Sequence, residues 1–142
     1  MDATISWKGK RKFTAIADSE REVIIDAKPD AGGEGQGVRP MELLLMGLGG
    51  CTGIDMIMIL ERMRLKVDRL DMQVSGDRAE TEPQKYTHFT ITYIVDSPDA
   101  PLEKVERAVK LSQDKYCSVA HSLSAPIDAV IVLNGVRHPV TK

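Results

Sequence analysis

Two cysteines, Cys51 and Cys117, are the residues of this 142-residue chain with the most reactive side chains. We see no secretory leader, so a structural disulfide is not expected. Two cysteines are too few for a zinc site built from cysteine alone. The pair is therefore interpreted either as buried inert thiols or as a redox couple. A bond between them requires Cα atoms within about 7 Å, which spacing in the sequence cannot decide.

Cys51 follows a glycine-rich stretch, Gly47-Leu48-Gly49-Gly50, inside a predicted helix. Each glycine in a helix interior costs about 1 kcal/mol relative to alanine, so we expect a compensating use. One use is close approach of another element. A second is a kink that leaves Cys51 near a fresh helix start, where free N–H groups lower the pKa of a thiol. The alternative is that Cys51 is a small apolar residue in a tight interface.

Asp55 follows Cys51 by four residues, which places both side chains on one face of a helix. A buried carboxylate opposes a neighbouring thiolate, so Asp55 needs a partner of its own. Arg39 or the basic segment 8–12 could supply a cation. A hydroxyl or backbone donor could equally serve if Asp55 has only a packing role.

Cys117 follows Lys115, whose charge could favour a thiolate, and precedes His121 by four residues. The spacing to His121 would suit a metal ligand pair or a Cys–His nucleophile. No second ligand set is evident, so His121 is interpreted as a partly exposed helix residue. We predict no metal and no cofactor.

The pattern of apolar residues around these positions predicts an α+β fold in a single domain, 1–142. The predicted elements are a three-stranded meander over 3–27, a Gly-rich loop over 28–38, a helix from Pro40 to about Arg64, hairpin strands around 70–75 and 89–95, a helix from Pro101 through Tyr116, a helical turn at 119–123 and a last strand at Ile127–Leu133.

The helix from Pro40 is apolar on nearly every side between residues 43 and 60. It is long enough to raise the question of a membrane span, but Asp55 and four glycines favour a buried helix. One small sheet cannot enclose it, so we expect a second subunit to cover it. Net charge is −2, which gives no nucleic-acid footprint. We therefore expect a cytoplasmic protein without membrane or nucleic-acid partners.

The segments RPMELLLMGLGGCTGIDM and KYCSV resemble the OsmC/Ohr superfamily of osmotically inducible and organic-hydroperoxide-resistance proteins, and within it the YhfA-like branch. The order of strands and helices agrees over nearly the whole chain. The resemblance implies antiparallel sheets wrapped around buried central helices in an intertwined homodimer. It further implies two equivalent sites at the subunit interface.

Carried over from the family, Cys51 is the peroxidatic nucleophile and Cys117 the resolving thiol. The resemblance also implies an arginine that holds the thiolate and is itself paired with a glutamate. Arg11 is the nearest candidate for this arginine and Arg39 is the alternative, with Glu42 as the glutamate.

This chain departs from the better-studied peroxidases around both cysteines. Their glutamate directly follows the proline, whereas here Met41 fills that place and Glu42 comes one residue later, about 100° further around the helix. Ser118 stands where many relatives have proline. Both cysteines are retained, but these differences weaken the case for a fast hydroperoxidase.

The leading hypothesis is a thiol peroxidase that reduces organic hydroperoxides and is regenerated by a dithiol reductant, with a lipoyl-type dithiol as one candidate. A second hypothesis is a protein that binds a small apolar ligand and whose thiols are structural or redox-sensing. A third is a dimeric interaction protein without chemistry.

Overall fold

Alternating apolar and polar residues form two separate β-sheets in the computed structural model, which describes residues 1–141. The chain forms two compact units: the first is Met1–Leu44 and the second begins at Leu45. Each unit contains one of the sheets. The α+β class is therefore confirmed, and the single-domain assignment stays a prediction.

The first unit is the predicted three-stranded meander. Its strands are β1 (Ala3–Trp7), β2 (Phe13–Ala17) and β3 (Val23–Ile25), and both neighbouring pairs are antiparallel. The loop after β3 contains a short 3-10 turn, Pro29–Ala31. The buried carboxylate of Asp26 organises this loop by accepting hydrogen bonds from the backbone N–H groups of Ala27, Glu34 and Gln36.

Helix α1 (Pro40–Arg62) begins with a proline and has Glu42 in its first turn, as a helix start favours. It ends two residues before the predicted boundary, and Arg64 follows with a left-handed backbone (φ 62°). Among residues 1–141 it is the one helix long and apolar enough to cross a membrane, a property that core helices of soluble proteins share.

The second unit contains a four-stranded sheet in the order β4 (Arg69–Arg78), β5 (Tyr86–Asp96), β6 (Ile127–Leu133) and β7 (Val136–Val140). The predicted hairpin of β4 and β5 is present. The β5–β6 pair is parallel, although antiparallel sheets were expected. The reason is that helices connect these two strands, and such a crossover returns the chain in the same direction.

Strand β7 was not predicted, although Asn134 and Gly135 carry the signal for it. Both residues have positive φ (48° and 86°), as a two-residue hairpin turn of type I′ requires. Pro139 is tolerated because β7 is an edge strand. The Asn134 side chain also fixes the backbone of Ser97: its Oδ1 accepts from the N–H at 2.8 Å and its Nδ2 donates to the carbonyl at 2.9 Å.

The crossover consists of α2 (Leu102–Leu111), a π-helical turn (Ser112–Tyr116) and α3 (Ser118–Ser122). The sequence predicted one helical face through Tyr116. Ser112 is buried on this face as predicted, but the wider π turn leaves Tyr116 47% exposed. The core of the second unit joins alternate residues of β5 to α1 and α2: Leu48, Met56, Leu60, Phe89, Ile91, Tyr93, Val95, Val105, Ala108 and Val109.

Candidate thiol site

Gly49 before Cys51 and Gly53 after it permit close packing of another element, and α1 runs through this stretch without a break. A Cβ at Gly49 would lie 3.0 Å from Cγ2 of Val74 on β4, and one at Gly53 would collide with the end of the Met72 side chain. Strand β4 therefore lies directly against this face of α1. Close approach compensates for the poor helix propensity and fixes the position of Cys51.

Cys117 lies where the π turn ends and α3 begins. Its backbone is extended (φ −72°, ψ 102°), and its N–H donates to the carbonyl of Ser112 at 2.7 Å. Its sulfur accepts a hydrogen bond from the N–H of Ala120 at 3.3 Å, in the position of a helix N-cap. The side chain of Cys117 is fully buried, whereas Cys51 is only partly buried.

The two sulfur atoms and a carboxylate oxygen of Asp55 lie within 4.8 Å of one another. Both cysteines are free thiols. The hydroxyl of Ser112 donates to Oδ2 of Asp55 at 2.8 Å, so a hydroxyl is the partner that this carboxylate was predicted to need. Two thiols and a carboxylate are also a set that Zn²⁺ uses, and the absence of a metal stays a prediction.

Burial raises the pKa of Cys117 to about 11. The N–H of Ala120 opposes this shift, while the hydrogen bond with Cys51 and the negative charges of Cys51 and Asp55 add to it. Cys117 is consequently a protonated thiol at neutral pH. The two cysteines are therefore unequal, because Cys117 is buried and protonated whereas Cys51 is partly exposed.

Tyr93 completes the buried side of the site. Burial raises its pKa to about 12; Gln113 and Thr52 oppose the rise through hydrogen bonds to the hydroxyl, and the charges of Cys117 and Asp55 add to it. The hydroxyl accepts from Nε2 of Gln113 at 2.9 Å. Neither Tyr93 nor Ser112 was predicted as a site residue. The sequence signal that could have identified them is a polar group, the hydroxyl of Tyr93 or of Ser112, on an otherwise apolar face of a strand or helix.

The remaining predicted site residues belong to the first unit. Nη1 of Arg39 forms an ion pair with Oε1 of Glu42 at 3.2 Å, and both side chains are substantially exposed. Arg11 lies in the turn between β1 and β2, with its guanidinium beside Gly32. The role of these three residues at the thiols stays a prediction. Lys115 is exposed, with its Nζ 5.2 Å from the ring centre of Tyr116.

The chain belongs to the OsmC-like protein family, which matches residues 33–131. It is 33% identical to the protein YhfA of Escherichia coli K12 over 128 residues, which cover 90% of this chain and 92% of YhfA. The resemblance to this family and branch is thereby confirmed.

Solved structures show the same fold. A hypothetical protein from Aquifex aeolicus is 28% identical, with a TM-score of 0.79 and coverage of 93% of this chain and 94% of that one. An organic hydroperoxide resistance protein OsmC from Legionella pneumophila has a TM-score of 0.65 at 13% identity, with coverage of 93% and 94%. At that identity the second likeness establishes the fold alone.

Proposed function

We propose that this protein is a thiol-dependent redox protein that reduces organic hydroperoxides through a reversible bond between Cys51 and Cys117. The observation that carries the proposal is the approach of the two sulfurs to within 4.8 Å, one partly accessible and the other buried. A disulfide has a length of about 2 Å, so closing the bond needs only a small movement. The name of the Legionella relative supports hydroperoxides as the substrate class.

In the first step, the Cys51 thiolate attacks the distal oxygen of the hydroperoxide. The O–O bond breaks, Cys51 becomes a sulfenic acid, and the alkoxide leaves as an alcohol after taking up a proton. Cys51 is the better nucleophile because it is the more exposed thiol, whereas Cys117 remains protonated.

In the second step, Cys117 attacks the Cys51 sulfur, water leaves and the disulfide forms. A dithiol reductant, for which we propose the lipoyl type, then restores both thiols by exchange. The partial exposure of Cys51 makes it the sulfur that such a reductant reaches first. No bound cofactor is needed in this cycle, and we propose a cytoplasmic setting where a dithiol pool is available.

A cation near the Cys51 thiolate would complete the site, and we propose an arginine of the first unit for this role. The ion pair between Arg39 and Glu42 supports Arg39, because the family resemblance implies an arginine held by a glutamate. Arg11 is the competing candidate. A drop in hydroperoxide rate for Arg39→Met but not for Arg11→Met would identify Arg39, and the reverse would identify Arg11.

We propose that a second copy of the chain covers one face of α1. Met46, Ile54 and Met58 are 53%, 65% and 46% exposed, and together with Gly50 they form a stripe at intervals of four residues. Ile54→Glu should give a monomer in sedimentation equilibrium, whereas the exposed control Glu61→Gln should not. A wild-type monomer at micromolar concentration would refute the dimer.

Hydroperoxide consumption tests the proposed reaction. Wild-type protein should consume cumene hydroperoxide in the presence of a dithiol, and Cys51→Ser should abolish this activity. Cys117→Ser should still react once but should not turn over rapidly, and Ser118→Ala serves as a neighbouring control. No turnover in the wild type, or equal turnover in Cys51→Ser, would eliminate the mechanism.

A groove between α1 and β4 favours a second candidate function. It has a volume of about 610 Å³ and an apolar lining that includes Gly53, Ile57 and Leu70, which suits a small apolar ligand. A fatty acid that raises the melting temperature equally in wild type and in a variant without both cysteines would favour ligand binding over redox chemistry.

A further inference from the structure

Asp55 has no role in the proposed cycle, although it lies within 4.8 Å of both reacting sulfurs. A carboxylate at this position carries a cost, because its charge opposes the formation of a thiolate beside it. An apolar residue would fill the same place on α1 without that cost. A use of Asp55 as a proton acceptor for one of the thiols would offset this cost.

Ser112 connects Asp55 to Cys117 through two hydrogen bonds. Its hydroxyl donates to Oδ2 of Asp55 at 2.8 Å, while its carbonyl accepts the N–H of Cys117 at 2.7 Å. Ser112 is itself fully buried, whereas its bond to Asp55 is part-buried because Asp55 is only partly covered. One residue of the π turn thus fixes the carboxylate and the buried thiol relative to each other.

We propose that Asp55 is the general base that takes the proton of Cys117 when the Cys51–Cys117 disulfide closes. This inference deepens the proposed function and rests on its redox pair. The Cys117 sulfur attacks the Cys51 sulfur, the S–O bond of the sulfenic acid breaks, and the S–S bond forms. The proton leaves Cys117 for Asp55 and passes to the departing hydroxide, so that water is released and the carboxylate is restored.

The state of Cys117 explains why this step needs a base. With a pKa of about 11, this thiol is almost entirely protonated at neutral pH, so a preformed thiolate is scarce. A carboxylate that accepts the proton during the attack lets the protonated thiol react without first forming a free thiolate. Ser112 acts as a positioning residue, because it holds Asp55 and does not take part in the proton transfer.

Asp55 acting as a base and Asp55 acting only as a charge predict opposite effects of Asp55→Asn. If Asp55 were only a charge, its removal would lower the pKa of Cys117 and speed the attack. If Asp55 is the base, its removal slows the attack at neutral pH. Among the described residues, Cys51 on α1 and Tyr93 on β5 are the other groups whose charge interacts with Cys117 or that its charge affects, and Tyr93 stays neutral until about pH 12.

The test uses dithiodipyridine, a neutral disulfide that releases a coloured thione and needs no hydroperoxide. Its reaction with Cys51 releases the first equivalent, and the attack of Cys117 on the mixed disulfide releases the second. Asp55→Asn should slow the second phase by about 10²-fold at neutral pH, a typical contribution of a general base, while the first phase persists. The second-phase rates of the wild type and of Asp55→Asn should become equal as the pH approaches 11, because Cys117 then ionises without a base.

Three further variants distinguish the loss of a base from misfolding of Asp55→Asn. Asp55→Glu keeps a carboxylate and should recover part of the second phase. Ser112→Ala retains Asp55 but removes the hydrogen bond that positions its carboxylate. This variant should slow the second phase at neutral pH and should reach the wild-type rate at high pH. Asp99→Asn, an exposed carboxylate, should match the wild type.

A second phase that is unchanged or faster in Asp55→Asn at neutral pH would overturn the inference, as would a wild-type protein that releases one equivalent only. A slow second phase in Asp55→Asn, together with no hydroperoxide consumption by the wild type, would support the inference while refuting the proposed substrate. The two proposals therefore fail separately.

Discussion

Cys51 lies in the middle of the regular helix α1, whereas Cys117 lies where one helical segment ends and the next begins. Packing holds the first, because glycines let β4 approach α1 closely. Hydrogen bonds hold the second, through the carbonyl of Ser112 and the N–H of Ala120. The regular segment presents a partly accessible sulfur and the irregular one shelters its partner, which is the inequality that the proposed redox cycle uses.

The largest expected effect of this inequality is on alkylation by iodoacetamide under native conditions. Two pKa units above the ordinary thiol value reduce the thiolate of Cys117 about a hundredfold, and burial slows its reaction further. Peptide mass spectrometry should therefore find Cys117 labelled on the order of a hundredfold more slowly than an added small thiol of ordinary pKa, and Cys51, the more exposed thiol, should be labelled first. Equal rates at the two positions would mean that the difference between the segments has no chemical consequence.

The packing that holds Cys51 can be disturbed without touching the thiols. Gly49→Leu should lower the free energy of unfolding by about 1–3 kcal/mol, because Val74 leaves no room for a larger side chain. Gly47→Ala is the control, since its Cβ would meet only ordinary contact with Val119, and it should raise stability by up to about 1 kcal/mol. Urea titration measures both, and a stable Gly49→Leu would show that close packing does not fix this segment.

The burial of Cys117 should appear as a loss of stability in alkaline solution. The folded state raises the pKa of this thiol from 9.0 to about 11, so it favours the protonated form. Its contribution is complete below pH 9 and is lost as the pH rises towards 11, on the order of 1 kcal/mol. Cys117→Ser keeps an acceptor for Ala120 but should lack this loss, which urea titrations at the two ends of the range would reveal.

The helix that contains Cys51 was predictable from the sequence, whereas the π turn before Cys117 was not. Apolar periodicity predicted α1, the β4–β5 hairpin and the shared face of Cys51 and Asp55, because these depend on neighbours within one element. The π turn was missed because its residues have an ordinary helical pattern. The meeting of Cys51 with Cys117 and the bond from Ser112 to Asp55 join distant parts of the chain, and the spacing of residues carries no information about such contacts.

The Asn134–Gly135 turn bears on how the protein ages in solution. Asparagine before glycine is prone to deamidation, in which the following backbone nitrogen attacks the side-chain amide. Here both ends of that amide are engaged by the backbone of Ser97, which opposes the rotation needed for attack. Conversion at Asn134 would place a negative oxygen against the Ser97 carbonyl. Slow appearance of this charge variant in stored protein would therefore record how often the last hairpin opens.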